Sequence, residues 1–109
     1  MQLNDQRQPV FRALSDPTRR AIIEMLARGD KSIGDIADAF DMTRPAVAKH
    51  LAILREGGIV AVEQKGRERI NRLQPAALKT AADWLNFFDQ FWDEKLERLK
   101  QAAEAKEDK

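Results

Sequence analysis

The chain has no cysteine, no tyrosine and a single histidine in 109 residues. Without cysteine there is no disulfide, no thiolate metal ligand and no thiol nucleophile, and the absence accords with a reducing cytoplasm. One histidine is too few for a soft-metal site. A Ser-His-Asp order and a glycine-rich phosphate loop are also missing, so no catalytic constellation presents itself. No apolar run approaches the roughly 18 residues that a membrane span needs, and the opening "MQLNDQRQPV" lacks a signal-peptide pattern. These absences point to a soluble cytoplasmic protein that is not an enzyme, with no cofactor, no metal and no membrane partner.

What is present fits a single domain over residues 1–109. The net charge is only +1, but its distribution is uneven. Residues 43–73 carry seven Lys/Arg against three Asp/Glu, whereas residues 1–42 carry six against seven and residues 74–109 six against eight. A basic island between two mildly acidic flanks is a pattern that nucleic-acid binding produces.

Periodicity and capping chemistry divide the chain into helices. "NDQRQPVFRAL" has Val10, Phe11 and Leu14 on one side. In "SDPTRRAIIEMLARGD", Asp16 is an N-cap, Pro17 takes the first helical position, Ala21, Ile22, Met25 and Leu26 form a buried stripe, and Gly29 follows the end. "KSIGDIADAFDM" opens on a Ser32/Asp35 capping box and places Ile33, Ile36, Ala37 and Phe40 on one face. After Asp41 and Met42, Thr43 caps a further helix with Pro45 in its first turn and Val47, Leu51 and Leu54 buried; Gly57-Gly58 stops it. The period then changes: "IVAVEQ", a turn around Gly66 and "RINRL" predict a β-hairpin. Pro75 opens a single long helix. The order predicts a mainly α, winged helix-turn-helix fold, with the helix-turn-helix at about 32–56, a two-stranded wing at about 59–73 and a long C-terminal helix.

A helix that reads DNA must present its front end while its other side stays anchored. In "TRPAVAKHLAIL" the outward residues are small or basic. Pro45 and Lys49 point away from the stripe, Ala46 and Ala52 flank them, and Thr43 and Arg44 sit at the entry. An alanine methyl suits a thymine methyl, Arg44 suits guanine O6/N7, Lys49 a base or a phosphate, and Thr43 with the helix N–H groups a phosphate oxygen. His50 lies beside the buried stripe, where either a structural hydrogen bond or a phosphate-positioning role suits it. Around the wing turn, Lys65, Arg67, Arg69 and Arg72 form a basic tip fit for a DNA backbone or an adjacent minor groove. Alternation sets Arg67 and Arg69 on the solvent side, away from Ile70.

The last helix is too apolar to be left alone. Leu85, Phe88, Trp92, Leu96 and Leu99 recur at helical spacing, with Trp84, Phe87 and Phe91 beside them. Of the seven aromatic residues only Phe40 lies outside the terminal helices. So wide a stripe calls for a partner. A two-fold dimer formed through residues of about 4–14 and 76–103 supplies one, with Val10, Phe11, Leu14, Trp84, Phe88, Phe91, Trp92 and Leu96 at the interface. Such a dimer also spaces two reading helices on a palindromic duplex. The alternative is a protein–protein interaction module that uses the aromatic helix on another partner.

Taken together, these segments resemble the ArsR/SmtB family of bacterial winged-helix repressors across nearly the whole chain. "FRALSDPTRRAIIEMLARG" is similar to the family's opening helices, "SIGDIADAFDMTRPAVAKHLAILREGGIV" to its helix-turn-helix and following strand, and "KGRERINRL" to its wing. "SDPTRR" and the aromatic "DWLNFFDQFWDEKLERL" are most like the SdpR-like autorepressor branch. The resemblance implies a homodimeric repressor of operator DNA, often its own promoter. It places Thr43, Arg44, Pro45, Ala46, Lys49 and His50 on the recognition-helix segment and Lys65 to Arg69 on the wing tip. Metal-sensing members carry a cysteine pair in the third helix or His/Asp clusters in the last. Neither is present here, which implies a member that does not sense zinc, arsenic or copper.

Overall fold

Helix ends leave backbone groups without intrahelical partners, and here short polar side chains and left-handed residues satisfy them. The computed structural model describes residues 5–107, with the order α1 (Gln8–Leu14), α2 (Pro17–Ala27), β1 (Lys31–Ser32), α3 (Ile33–Phe40), α4 (Arg44–Glu56), β2 (Val60–Lys65), β3 (Glu68–Leu73), α5 (Pro75–Asn86) and α6 (Asp89–Glu107). The Asp16 carboxylate accepts the Arg19 N–H at 3.0 Å at the start of α2. Ser32 and Asp35 cap α3 reciprocally, at 3.1 and 3.3 Å. Thr43 Oγ1 accepts the Ala46 N–H at 3.3 Å at the start of α4.

The two helices of the helix-turn-helix end alike. Gly58 takes φ +72° while its N–H and that of Ile59 donate back to Arg55 and Leu54 carbonyls at 2.9 and 3.0 Å, a Schellman closure. At the end of α3 the same pattern joins Asp41 to Asp38 and Met42 to Ala37, with Asp41 at φ 51° where a glycine is usual. This closure makes the two-residue turn possible. Gly29 follows α2 without a left-handed φ, so the role expected of it falls to the Arg28 cap, whose N–H returns to Met25 and Leu26.

Ile22, Ile36, Val47, Leu54 and Ile59 are fully buried at the centre of the helix-turn-helix half. The stripe of α2 is turned slightly from the expected one: Ile22, Ile23 and Leu26 are buried with Arg19, and Ala21 and Met25 are half-buried. Gly57 lets α1 reach the end of α4, because a Cβ there would lie 2.9 Å from the Pro9 carbonyl oxygen. α1 begins at Gln8, later than expected, after a turn in which the Asp5 carboxylate accepts the Arg7 N–H at 2.9 Å. Position 4 of the expected helix lies outside the described residues.

Two further expectations change. The wing is not an isolated pair of strands. The short β1 adds to it in the order β1-β3-β2, all antiparallel, with Lys31 opposite Asn71 and Ser32 opposite Ile70. The long C-terminal helix is two helices, of 12 and 19 residues. No proline or glycine marks the junction. The ladder tightens there to three-residue spacing, with the Phe88 N–H on the Leu85 carbonyl and the Phe91 N–H on the Phe88 carbonyl, both at 3.0 Å. α5 packs on α1, whereas α6 forms no extended packing with any other element. The Cα radius of gyration is 19.6 Å, against about 13 Å for a compact domain of this length.

Candidate nucleic-acid interface

α4 divides as its function requires. Val47, Leu51 and Leu54 are buried against the core, while Thr43, Arg44, Pro45, Ala48 and Lys49 are exposed and Ala46 is half-buried. Ala48 belongs with the exposed set, although the pattern of charges did not single it out. The guanidinium of Arg44 lies over Gly34 in the first turn of α3, so close that a methyl group on Gly34 would meet its Nη2 at 2.9 Å. The glycine thus gives Arg44 room to lie back along α3. Among the described residues Arg44 and Lys49 have no ion pair.

The hairpin turns on two residues, Gly66 and Arg67, since Lys65 faces Glu68 across the strands. Only Gly66 has a positive φ, +61°, the pattern of a type II′ turn with glycine first. Lys65, Arg67 and Arg69 are exposed and unpaired among the described residues. Arg72 is different: it binds Asp30 at 3.2 Å and Glu63 at 2.6 Å, so the wing's fourth cation is already neutralised. Arg69, exposed as expected, also borders α4. It lies on the strand face of the buried Asn71, and together with Arg55, Ala48 and Leu51 it lines a groove of about 130 Å³ between α4 and the hairpin. The exposed side of α4 and the wing therefore share one basic surface.

His50, next to the exposed Lys49, is half-buried. Its Nδ1 lies 3.4 Å from Arg19 Nη1 and 3.9 Å from Asp16 Oδ2. Arg19 is a buried residue that the sequence reading missed. Its Nε donates to the Ala13 carbonyl at 3.0 Å, and its Nη2 to the Arg12 carbonyl at 2.9 Å and to Ser15 Oγ at 3.4 Å. This explains "SDPTRR" physically: the aspartate caps α2, the proline opens it, and the first arginine holds the unpaired carbonyls at the end of α1. The Arg19 N–H, followed by the Arg19 charge, keeps the Asp16 carboxyl below its ordinary pKa.

The second surface is apolar. Trp84, Leu85, Phe87, Phe91, Trp92, Leu96 and Leu99 are exposed, from 42% for Trp84 to 63% for Trp92. Phe88 is half-buried between the rings of Trp84 and Phe87, and Trp84 stacks edge-on against Phe11 at 5.5 Å. Leu14 is half-buried. Val10, expected on this surface, is taken up by the chain's own core. Among the described residues no cluster of His, Asp or Glu has metal-binding spacing, and no helix is long and apolar enough to cross a membrane.

A tight helix pair, a hairpin beside it and one basic face define a winged helix-turn-helix protein. Residues 16–62 match the family described as "Bacterial regulatory protein, arsR family". The chain is 38% identical over 82 residues to the transcriptional repressor SdpR of Bacillus subtilis, an alignment covering 74% of this chain and 91% of that protein. It is 35% identical over 98 residues to the HTH-type transcriptional regulator Rv2034 of Mycobacterium tuberculosis, covering 90% and 89%. An ArsR-like transcriptional regulator from Rhodococcus sp. RHA1 superimposes with a TM-score of 0.73 at 39% identity over 90% of each chain. The protein is a DNA-binding transcriptional regulator and not an enzyme. It belongs to the ArsR family.

Proposed function

We propose that the chain is a homodimeric repressor that sets two copies of α4 on a palindromic operator. Thr43, Arg44, Pro45, Ala46 and Lys49 meet the major groove, and Lys65, Arg67 and Arg69 meet the backbone or the adjacent minor groove. The observation that carries this reading is the division of α4, apolar and buried on one side, small or basic and exposed on the other, beside unpaired wing cations. The apolar face of α5 and α6 supports a second copy as the partner: it is larger than one small domain covers, and it continues onto α1 through Phe11 and Trp84. The complete lack of cysteine supports control without soft-metal sensing. A cytoplasmic location follows from the same reading, and the chain's own promoter is the first operator to examine.

Mobility shift and cleavage protection on the DNA upstream of the coding region test this across a salt series. The expected result is a protected inverted repeat whose half-sites lie about one helical turn apart, with binding that survives competitor DNA. Binding that competitor removes completely would overturn the reading.

A further inference from the structure

We propose that Arg19 and His50 are positioning residues for operator binding: through them the end of α1 fixes the seating of α4, and His50 must be neutral for this to hold. Three observations converge. Arg19 is buried and spends its donors on α1, at the carbonyls of Arg12 and Ala13. Its remaining reach ends on His50, one residue from the exposed Lys49 of the candidate reading face. At the other end of α4, Gly57 meets Pro9 closely and Glu56 pairs with Arg12 at 3.4 Å. α1 thus grips α4 at two places along its length.

The joint has a chemical requirement. Arg19 carries only donors, so the contact at 3.4 Å is a hydrogen bond only if Nδ1 has a free lone pair, with the ring proton on Nε2. A proton on Nδ1 replaces that bond with repulsion between two cations and turns the ring toward Asp16, 3.9 Å away. The charged groups set against the ring are Arg19 and Asp16, both on α2. α1 contributes the carbonyls held by the same guanidinium, and its Arg12 side chain is turned to Glu56. Among the described residues no hydrogen bond or ion pair joins His50 to α3 or β2, and on α4 the adjacent charge is the exposed Lys49. Asp16 is held below its ordinary pKa by the Arg19 N–H, so it stays ionised throughout the range in which histidine titrates.

The sign of the effect separates this role from simple charge. A protonated histidine adds positive charge, which by itself strengthens DNA binding. Loss of the joint weakens it. The inference rests on specific DNA binding by this chain, so the test begins with a duplex that the protein itself selects from a random library. Affinity for that duplex, measured by fluorescence anisotropy at constant ionic strength, should fall about tenfold on acidification from about pH 7.5 to about pH 5.5. A non-specific duplex should show no such fall. His50→Asn, which offers a neutral acceptor near the Nδ1 position, should flatten the profile, and Arg19→Lys should weaken binding at about pH 7.5 and also flatten it. Independently of any variant, the ring ¹⁵N shifts of the only histidine should report an Nε2–H tautomer at about pH 7.5. Affinity that rises on acidification, a slope that persists in His50→Asn, or an Nδ1–H tautomer would each overturn the inference. Selection of no duplex at any pH would instead sink the repressor reading itself.

Discussion

Between Pro17 and Leu73 every leucine, isoleucine, valine, methionine and phenylalanine is buried or half-buried, whereas from Trp84 to Leu99 every large apolar side chain except Phe88 is exposed. Both regions carry apolar side chains at helical spacing, yet only the first closes on itself. In the helix-turn-helix half, each apolar stripe faces another element of the same chain, so its burial stabilises the monomer fold. In the C-terminal part, α6 forms no extended packing with any other element and its apolar side chains are exposed; on the proposed reading a second copy would bury them. One region solves a folding problem, and the other, on the proposed reading, an association problem.

The sharpest way to break this comparison is Trp92→Glu. It is expected to give monomers by sedimentation while the helical signal of the core survives. Operator affinity should fall by about a hundredfold or more, as paired half-sites lose their linkage. A stable dimer that still binds DNA would place the interface elsewhere. Next in size, Leu54→Ala should cost about 2–5 kcal/mol in denaturant unfolding, because it opens a cavity in a fully buried site. Leu99→Ala should show its effect mainly as a rise in the dimer dissociation constant. Equal unfolding losses from the two, independent of concentration, would erase the distinction between the halves. Arg44→Ala should lower operator affinity by about 1–3 kcal/mol and relax one base preference in a binding-site selection. A uniform loss across sequences would make Arg44 a phosphate contact. The smallest effect expected is that of Lys65→Ala, which should reduce the salt slope of DNA binding by about one. Lys100→Ala on α6 should leave that slope unchanged.

Features that rest on local chemistry were legible in the sequence. The caps at Asp16, Ser32 and Thr43 and the stop at Gly57-Gly58 need only a few neighbouring residues, and the stripe of α4 follows from period alone. Features that depend on distant partners were not. β1 is two residues long and exists because β3, some forty positions later, pairs with it. Arg19 reads as one more surface cation until α1 presents it with carbonyls to hold. Arg69 is exposed, as its separation from Ile70 led one to expect, but that it borders the groove beside α4 could not be read from the strand alone. The break between α5 and α6 has no proline or glycine to announce it. The role of His50 was left open between two possibilities because the decisive neighbour lies 31 positions earlier in the chain.

The added strand has a mechanical consequence. Midway along its length the wing is three strands wide, where β1 pairs with Ile70 and Asn71, and the buried Asn71 side chain ties it to the Lys31 carbonyl at 3.2 Å. At its tip only two strands and a two-residue turn remain. The hairpin is therefore clamped at its middle to the segment that leads into α3, and its outer part up to Lys65–Arg67 extends beyond that clamp. A clamp at that point fixes the direction in which the charges beyond it are carried.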